Sequence, residues 1–191
     1  MLTVLVIDES RSRAGEICAG LALAGYQVAA ILAGADNLTA EVEKLQPDVI
    51  LIDSDSPSRD TLENLATMHK DMPRPVVMFT HDDGQEVIRD AVKAGVSAYV
   101  VDGLDPKRIK PIVEVARARF EDTQALRREL DEVSRKLSDR KLVDQAKGVL
   151  MKARGLDEDA AYHALRKLAM ERGQTMAKVA RDVIDMARVL L

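Results

Sequence analysis

The chain has 191 residues, 47% of them apolar, with 28 Lys/Arg against 32 Asp/Glu, enough for one medium domain or a domain with an appendage. It opens on no charged-then-apolar leader and holds no apolar run near the roughly 18 residues of a membrane span, so a cytoplasmic protein with no membrane segment is expected. One cysteine, Cys18, and three scattered histidines exclude an internal disulfide and offer no zinc spacing.

In the first 120 residues, short β-branched runs alternate with segments of helical length. The runs are TVLVI (3–7), QVAAI (27–31), DVILI (48–52), PVVMF (75–79) and SAYVV (97–101), and the segments between them include 11–24, 36–45, 60–70 and 84–94. Runs apolar on both faces predict a parallel sheet covered by helices on each side, an α/β domain over residues 1–121. Gly25, Pro47, Pro73, Pro75 and Gly95 punctuate it where helices stop or strands start.

From Pro106 the pattern turns helical. Leu126, Leu130, Val133 and Leu137 keep the 3-4 spacing of a heptad seam over residues 122–137, flanked by charge. A coiled coil that pairs two copies and a helix packed on its own chain both fit two heptads. Residues 138–191 predict three short helices, the first from about Ser138 to Ala153, the second from Asp157 to Gly173, the third from Thr175 onward, with Gly, Asp and Thr at the caps. Leu142, Ala146, Val149, Leu150 and Ala153 are expected to face the core from the first helix, and Val179, Val183, Ile184, Met186 and Ala187 from the third.

Charge divides the same way. Residues 1–122 carry 13 Lys/Arg against 21 Asp/Glu, a net −8, and residues 123–191 carry 15 against 11, a net +4. Opposite signs suggest modules with different partners, although a mildly basic helical tail is also ordinary solvated surface.

For five β/α repeats the order 2-1-3-4-5 puts the first and third strands side by side, with ligands expected at their carboxyl ends. Asp8 and Glu9 then lie beside Asp53, about 4.8 Å away across one strand spacing. Three carboxylates so close repel one another unless a cation sits between them, and hard oxygen donors favour Mg²⁺. No general acid accompanies Asp53, and His81 reads as a surface residue, so an enzyme is not expected.

These positions resemble the receiver domain of two-component response regulators, a flavodoxin-like fold: an acidic pair after the first strand (Asp8, Glu9), Asp53 followed by Pro57, and a hydroxyl, Thr80, after the fourth strand. The resemblance implies that Asp53 accepts a phosphoryl group from a histidine kinase, that Asp8, Glu9, Asp53 and the backbone carbonyl of Asp55 hold Mg²⁺, and that Thr80 and Tyr99 act as switch residues. One position departs from the family. Asp102 stands where receivers carry the lysine that pairs with the phosphoryl group, and a short anion there adds repulsion where the family has a clamp.

The last 50 residues resemble the ANTAR domain, an RNA-binding module, through AKGVLM (146–151), Gly155, DEDAAY (157–162), LRKLAM (165–170) and Val179-Ala180. Together the modules resemble AmiR/NasT-type antiterminators, with RPVVMFT, GVSAYVV and ARFEDTQALR similar to the NasT-like nitrate/nitrite branch. The resemblance implies a homodimer that binds paired hairpins in leader RNA, controlled by a histidine kinase or by a nitrate-sensing partner protein. Arg140, Lys141, Ala146, Lys147, Gly148, Met151, Lys152, Arg166, Lys167 and Lys178 are the candidate RNA contacts. Gly148 sits inside a helical pattern at a cost of about 1 kcal/mol relative to Ala, so something approaches it closely, either a packed helix or an RNA backbone. A phosphorylation-switched DNA-binding regulator is the alternative, weaker because no helix-turn-helix pattern is evident.

Overall fold

The computed structural model describes residues 1–8, 13–101, 105 and 107–190, and it divides into two units, Met1–Gln124 and Ala125–Leu191. Glu9 and Asp102 lie outside the described residues.

The first unit is the expected α/β domain. Its strands are β1 (Thr3–Asp8), β2 (Gln27–Leu32), β3 (Val49–Asp53), β4 (Val76–Thr80) and β5 (Ala98–Val101), all parallel in the order β2-β1-β3-β4-β5. Between them run α1 (Ala14–Leu23), α2 (Leu38–Leu45), α3 (Arg59–Asp71) and α4 (Gln85–Lys93). The two-residue period of a strand divides the core. Leu5, Ile7, Ile50, Ile52 and Met78 pack on one face with α2, α3 and α4, while Val4, Val6, Val49, Leu51, Val77 and Phe79 pack on the other with α1 and with Ile109, Val113 and Ala116. That double burial explains why β1, β3 and β4 read as unbroken apolar runs.

Gly95 ends α4 at φ +103, and a Cβ there would lie 2.4 Å from the His69 ring. Gly95→Ala combines left-handed strain with overpacking and is expected to lower stability by about 2 kcal/mol or more, read as a fall in the urea midpoint.

Three separate C-terminal helices were expected, but the structure has one helix, α5 (Ile109–Arg154), running on for 46 residues, then α6 (Glu158–Arg172) and α7 (Met176–Leu190). The Ser138-Asp139 pair resembles a helix start, yet no Gly or Pro stands between Ile112 and Lys147 to break the chain. Pro111 falls in the first turn, where its missing N–H costs nothing. The caps of α6 are as expected: Asp157 accepts from the backbone N–H of Ala160 at 2.7 Å, and Gly173 closes it at φ +60.

In the second unit, Ala146 of α5, Leu165 and Ala169 of α6, and Val179, Ala180 and Ile184 of α7 form a small core, with Leu142, Val143, Leu150 and Val183 at its edge. Ala153 and Met186, expected inside, are exposed.

Candidate functional site

The pocket at the strand tips follows from strand order. β1 and β3 are neighbours in register, so Asp8 stands directly opposite Asp53, and both are buried, at 1% and 0% exposure. Burial first, and then the neighbouring charge of Asp8, push the Asp53 carboxyl above its ordinary range, against the pull of the Arg13 guanidinium.

Arg13 was not anticipated. It precedes α1, and its guanidinium lies over the pocket with Nε 2.8 Å from Asp53 Oδ2, Nη2 2.9 Å from Asp55 Oδ1 and Nη1 3.1 Å from His81 Nε2. His81 is exposed, as expected of a surface residue, and its ring meets Arg13 at the rim of the pocket. The only sequence signal was an arginine a few positions beyond the acidic pair.

Thr80 and Tyr99 are joined through the loop after β4. The Thr80 hydroxyl donates to the Asp55 carbonyl at 2.9 Å and accepts from the Asp82 N–H at 3.1 Å, and the Tyr99 hydroxyl donates to the Asp82 carbonyl at 2.8 Å. The Asp55 carbonyl, expected to complete a metal site, also accepts from the backbone N–H of His81 at 3.2 Å. Both of its lone pairs are thus engaged inside the protein. The donor chemistry of Asp8 and Asp53 still suits Mg²⁺, since both are hard oxygen ligands held one strand spacing apart. Among the described residues no third acidic, His or Cys side chain joins them as a ligand set, and a guanidinium stands beside Asp53.

Asp53→Asn removes a carboxylate whose pKa is raised on folding. The folded state therefore binds more protons between the unfolded value, near 3.9, and the raised one, and ionised Asp53 lowers stability above that window. The variant is expected to melt higher than the parent at pH 7, with the gain disappearing below about pH 4. Thermal unfolding across that range reads it.

In the second unit the candidate RNA contacts separate into groups. Ala146 is fully buried in the core and cannot touch RNA directly. Lys147, with only 15% of its side chain exposed, is tied to Asp144 at 2.8 Å and Glu158 at 2.7 Å, and Lys178 pairs with Asp182 at 2.9 Å and Lys167 with Glu171 at 3.9 Å. Arg140, Lys141, Lys152 and Arg166 are exposed and Met151 is partly so.

At Gly148 the two readings separate. A Cβ there meets nothing within 4 Å, so among the described residues no helix packs against it. At helical spacing Lys141, Gly148 and Lys152 share the side of α5 turned away from Ala146 and the core. Nearby, a cleft of about 470 Å³ between α5, α6 and α7 is lined by Arg140, Lys147, Tyr162 and Thr175, among others. Upstream on α5, Leu126, Leu130, Val133 and Leu137 are 62%, 67%, 58% and 55% exposed, so this seam is not buried by any of the described residues.

The pattern of the response regulator receiver domain matches residues 4–114, more than half of the chain. The chain belongs to the response regulator receiver family. The pattern of the ANTAR domain matches residues 131–184 of the same regulator. A receiver followed by an ANTAR domain is the composition of an RNA-binding antitermination response regulator.

The regulator is similar to the transcriptional regulatory protein PdtaR of Mycobacterium tuberculosis, with 29% identity over 161 residues, 84% of this chain and 78% of that protein. It is also similar to a nitrate regulatory protein of Klebsiella oxytoca, with 36% identity over 75 residues, 39% of this chain and 19% of that one. The fold is shared with a CheY-like receiver domain protein of Methanospirillum hungatei, at TM-score 0.56 and 22% identity over 64% of this chain and 98% of that one. No helix among the described residues is long and apolar enough to cross a membrane.

Proposed function

We propose that the regulator acts as a homodimer that binds paired hairpins in leader RNA and so keeps a terminator stem from forming, with nitrate or nitrite assimilation genes as its targets. The observation that carries this is the outward face of α5, where Lys141 and Lys152 flank the uncovered Gly148 within the ANTAR stretch. Cations beside a position without a side chain suit close approach of a phosphate backbone, and the cleft around Tyr162 has room for a base splayed from a loop. Similarity to a nitrate regulatory protein supports the choice of targets. The proposed boundaries are 1–121 for the receiver, 122–137 for the coiled-coil segment and 138–191 for the RNA-binding module.

The exposed seam supports dimerisation, because burying each of its side chains is worth about 1.5–3 kcal/mol. Two RNA-binding heads on one dimer raise the effective concentration of the second contact.

Control enters through the receiver. Asp8 and Asp53 would hold Mg²⁺, joined by Glu9, and the ion would neutralise phosphoryl oxygens. An Asp53 oxygen then attacks the phosphorus of a kinase phosphohistidine, the P–N bond breaks, and an acyl phosphate forms. Thr80 and Tyr99, already linked through Asp82, carry the change outward. A nitrate-sensing partner protein is the other proposed source of control.

A gel-shift titration with a twin-hairpin leader RNA, the same RNA with scrambled loops, and duplex DNA tests this. Preference for the native loops supports the proposal. Equal affinity for both RNAs contradicts it, and preference for DNA would restore the DNA-binding alternative.

A further inference from the structure

The Arg13 side chain is engaged to an extent uncommon for a residue at a helix start. Each of its three guanidinium nitrogens meets a different group, on the tip of β3, in the loop after β3 and in the loop after β4, and only 26% of the side chain is exposed. It caps no backbone group of α1 through its side chain, so helix capping does not account for its placement. Arginine keeps its charge at every accessible pH, so this is a permanent cation set against Asp53.

The contact with Asp53 is close without being a well-directed hydrogen bond. Nε lies 2.8 Å from Oδ2, yet neither Asp53 oxygen has a hydrogen bond of good geometry among the described residues. The guanidinium therefore sets its charge in contact with Oδ2 without a directed hydrogen bond to hold it there. By contrast, Nη2 makes a good hydrogen bond to Asp55 at 2.9 Å.

We propose that Arg13 is a tethered cation that competes with Mg²⁺ for Asp53, so that metal enters the pocket only when the guanidinium leaves it. This rests on the proposed Mg²⁺ site. Magnesium demands oxygen ligands at about 2.0–2.1 Å in near-octahedral geometry and keeps several waters, and a guanidinium nitrogen in contact with Oδ2 fills the space those waters need. Two cations side by side on one buried carboxylate also repel. Asp55 and His81 hold Arg13 from the far side and give it a resting place when it is displaced. The regulator thus carries its own counterion, and its affinity for metal is set by an internal exchange.

Titration of the full chain with Mn²⁺, followed by the loss of free-ion paramagnetic resonance signal and reversed with Mg²⁺, tests the exchange. Arg13→Gln is expected to bind Mn²⁺ about tenfold or more tightly than the parent. It is also expected to melt lower than the parent without metal and to recover with saturating Mg²⁺, because it removes the cation that faces the buried Asp53. Arg13→Lys, a milder change that keeps the charge, is expected to fall between the two and serves if Arg13→Gln does not fold. Asp53→Asn should abolish binding in either background. Equal or weaker binding by the Arg13 variants overturns the competition and leaves the metal pocket standing. No binding by any protein overturns both.

Discussion

If the chain pairs as proposed, Leu130→Asp is expected to convert the proposed dimer to a monomer and to weaken binding to a twin-hairpin leader by about a hundredfold or more, with little change for a single hairpin. Leu130 is 67% exposed in the middle of a seam whose other members, Leu126, Val133 and Leu137, are also more than half exposed. A carboxylate there costs the isolated helix only about 0.5 kcal/mol in propensity, so the chain still folds. In a paired seam the same carboxylate would be buried without a partner, at a cost of several kcal/mol per copy. Sedimentation equilibrium gives the mass and filter binding gives the two affinities. A parent protein that sediments as a monomer, or a variant with unchanged affinity for the twin hairpin, would contradict the dimer.

Gly148→Glu is expected to cost about tenfold or more in RNA affinity while leaving the fold intact. The new carboxylate would stand one turn before Lys152, where it pairs with and withholds that cation, and it would repel phosphates directly. Gly148→Ala separates shape from charge. Because a Cβ meets nothing within 4 Å in the chain, the alanine variant should be more stable by about 1 kcal/mol and still bind RNA less well. Circular dichroism melts and gel shifts measure the two effects. A stabilised alanine variant with parental RNA affinity would place the RNA elsewhere.

Much of the first unit was legible because its signal is local. Runs such as VILID in β3 are apolar on both faces, and the order β2-β1-β3-β4-β5 follows from the commonest winding of five β/α repeats, which brings Asp8 opposite Asp53. Arg13 was hidden because its partners are 40, 42 and 68 residues away, and no periodicity reports a side chain that reaches across a sheet. The His81 contact with Arg13 was hidden for the same reason, although its surface position was legible.

In the second unit the long helix and the bundle were legible, but the boundary near Ser138 was not: neither Gly nor Pro stands there to break the chain, and α5 runs through. Ala146 carried two expectations, a core position from its spacing with Leu142 and Leu150 and an RNA contact from the AKG motif, and its full burial agrees with the first. The sequence left Gly148 open between a packed helix and an RNA backbone, and among the described residues nothing lies within 4 Å of a Cβ placed there.

The most direct measurement of the central claim is the affinity of the 191-residue regulator for a twin-hairpin leader RNA against the same RNA with scrambled loops, at two salt concentrations. The account predicts a preference for the native loops that persists as salt rises while both affinities fall, since phosphate contacts are salt-sensitive and carry no sequence information. Equal affinity for both RNAs at every salt concentration would contradict it.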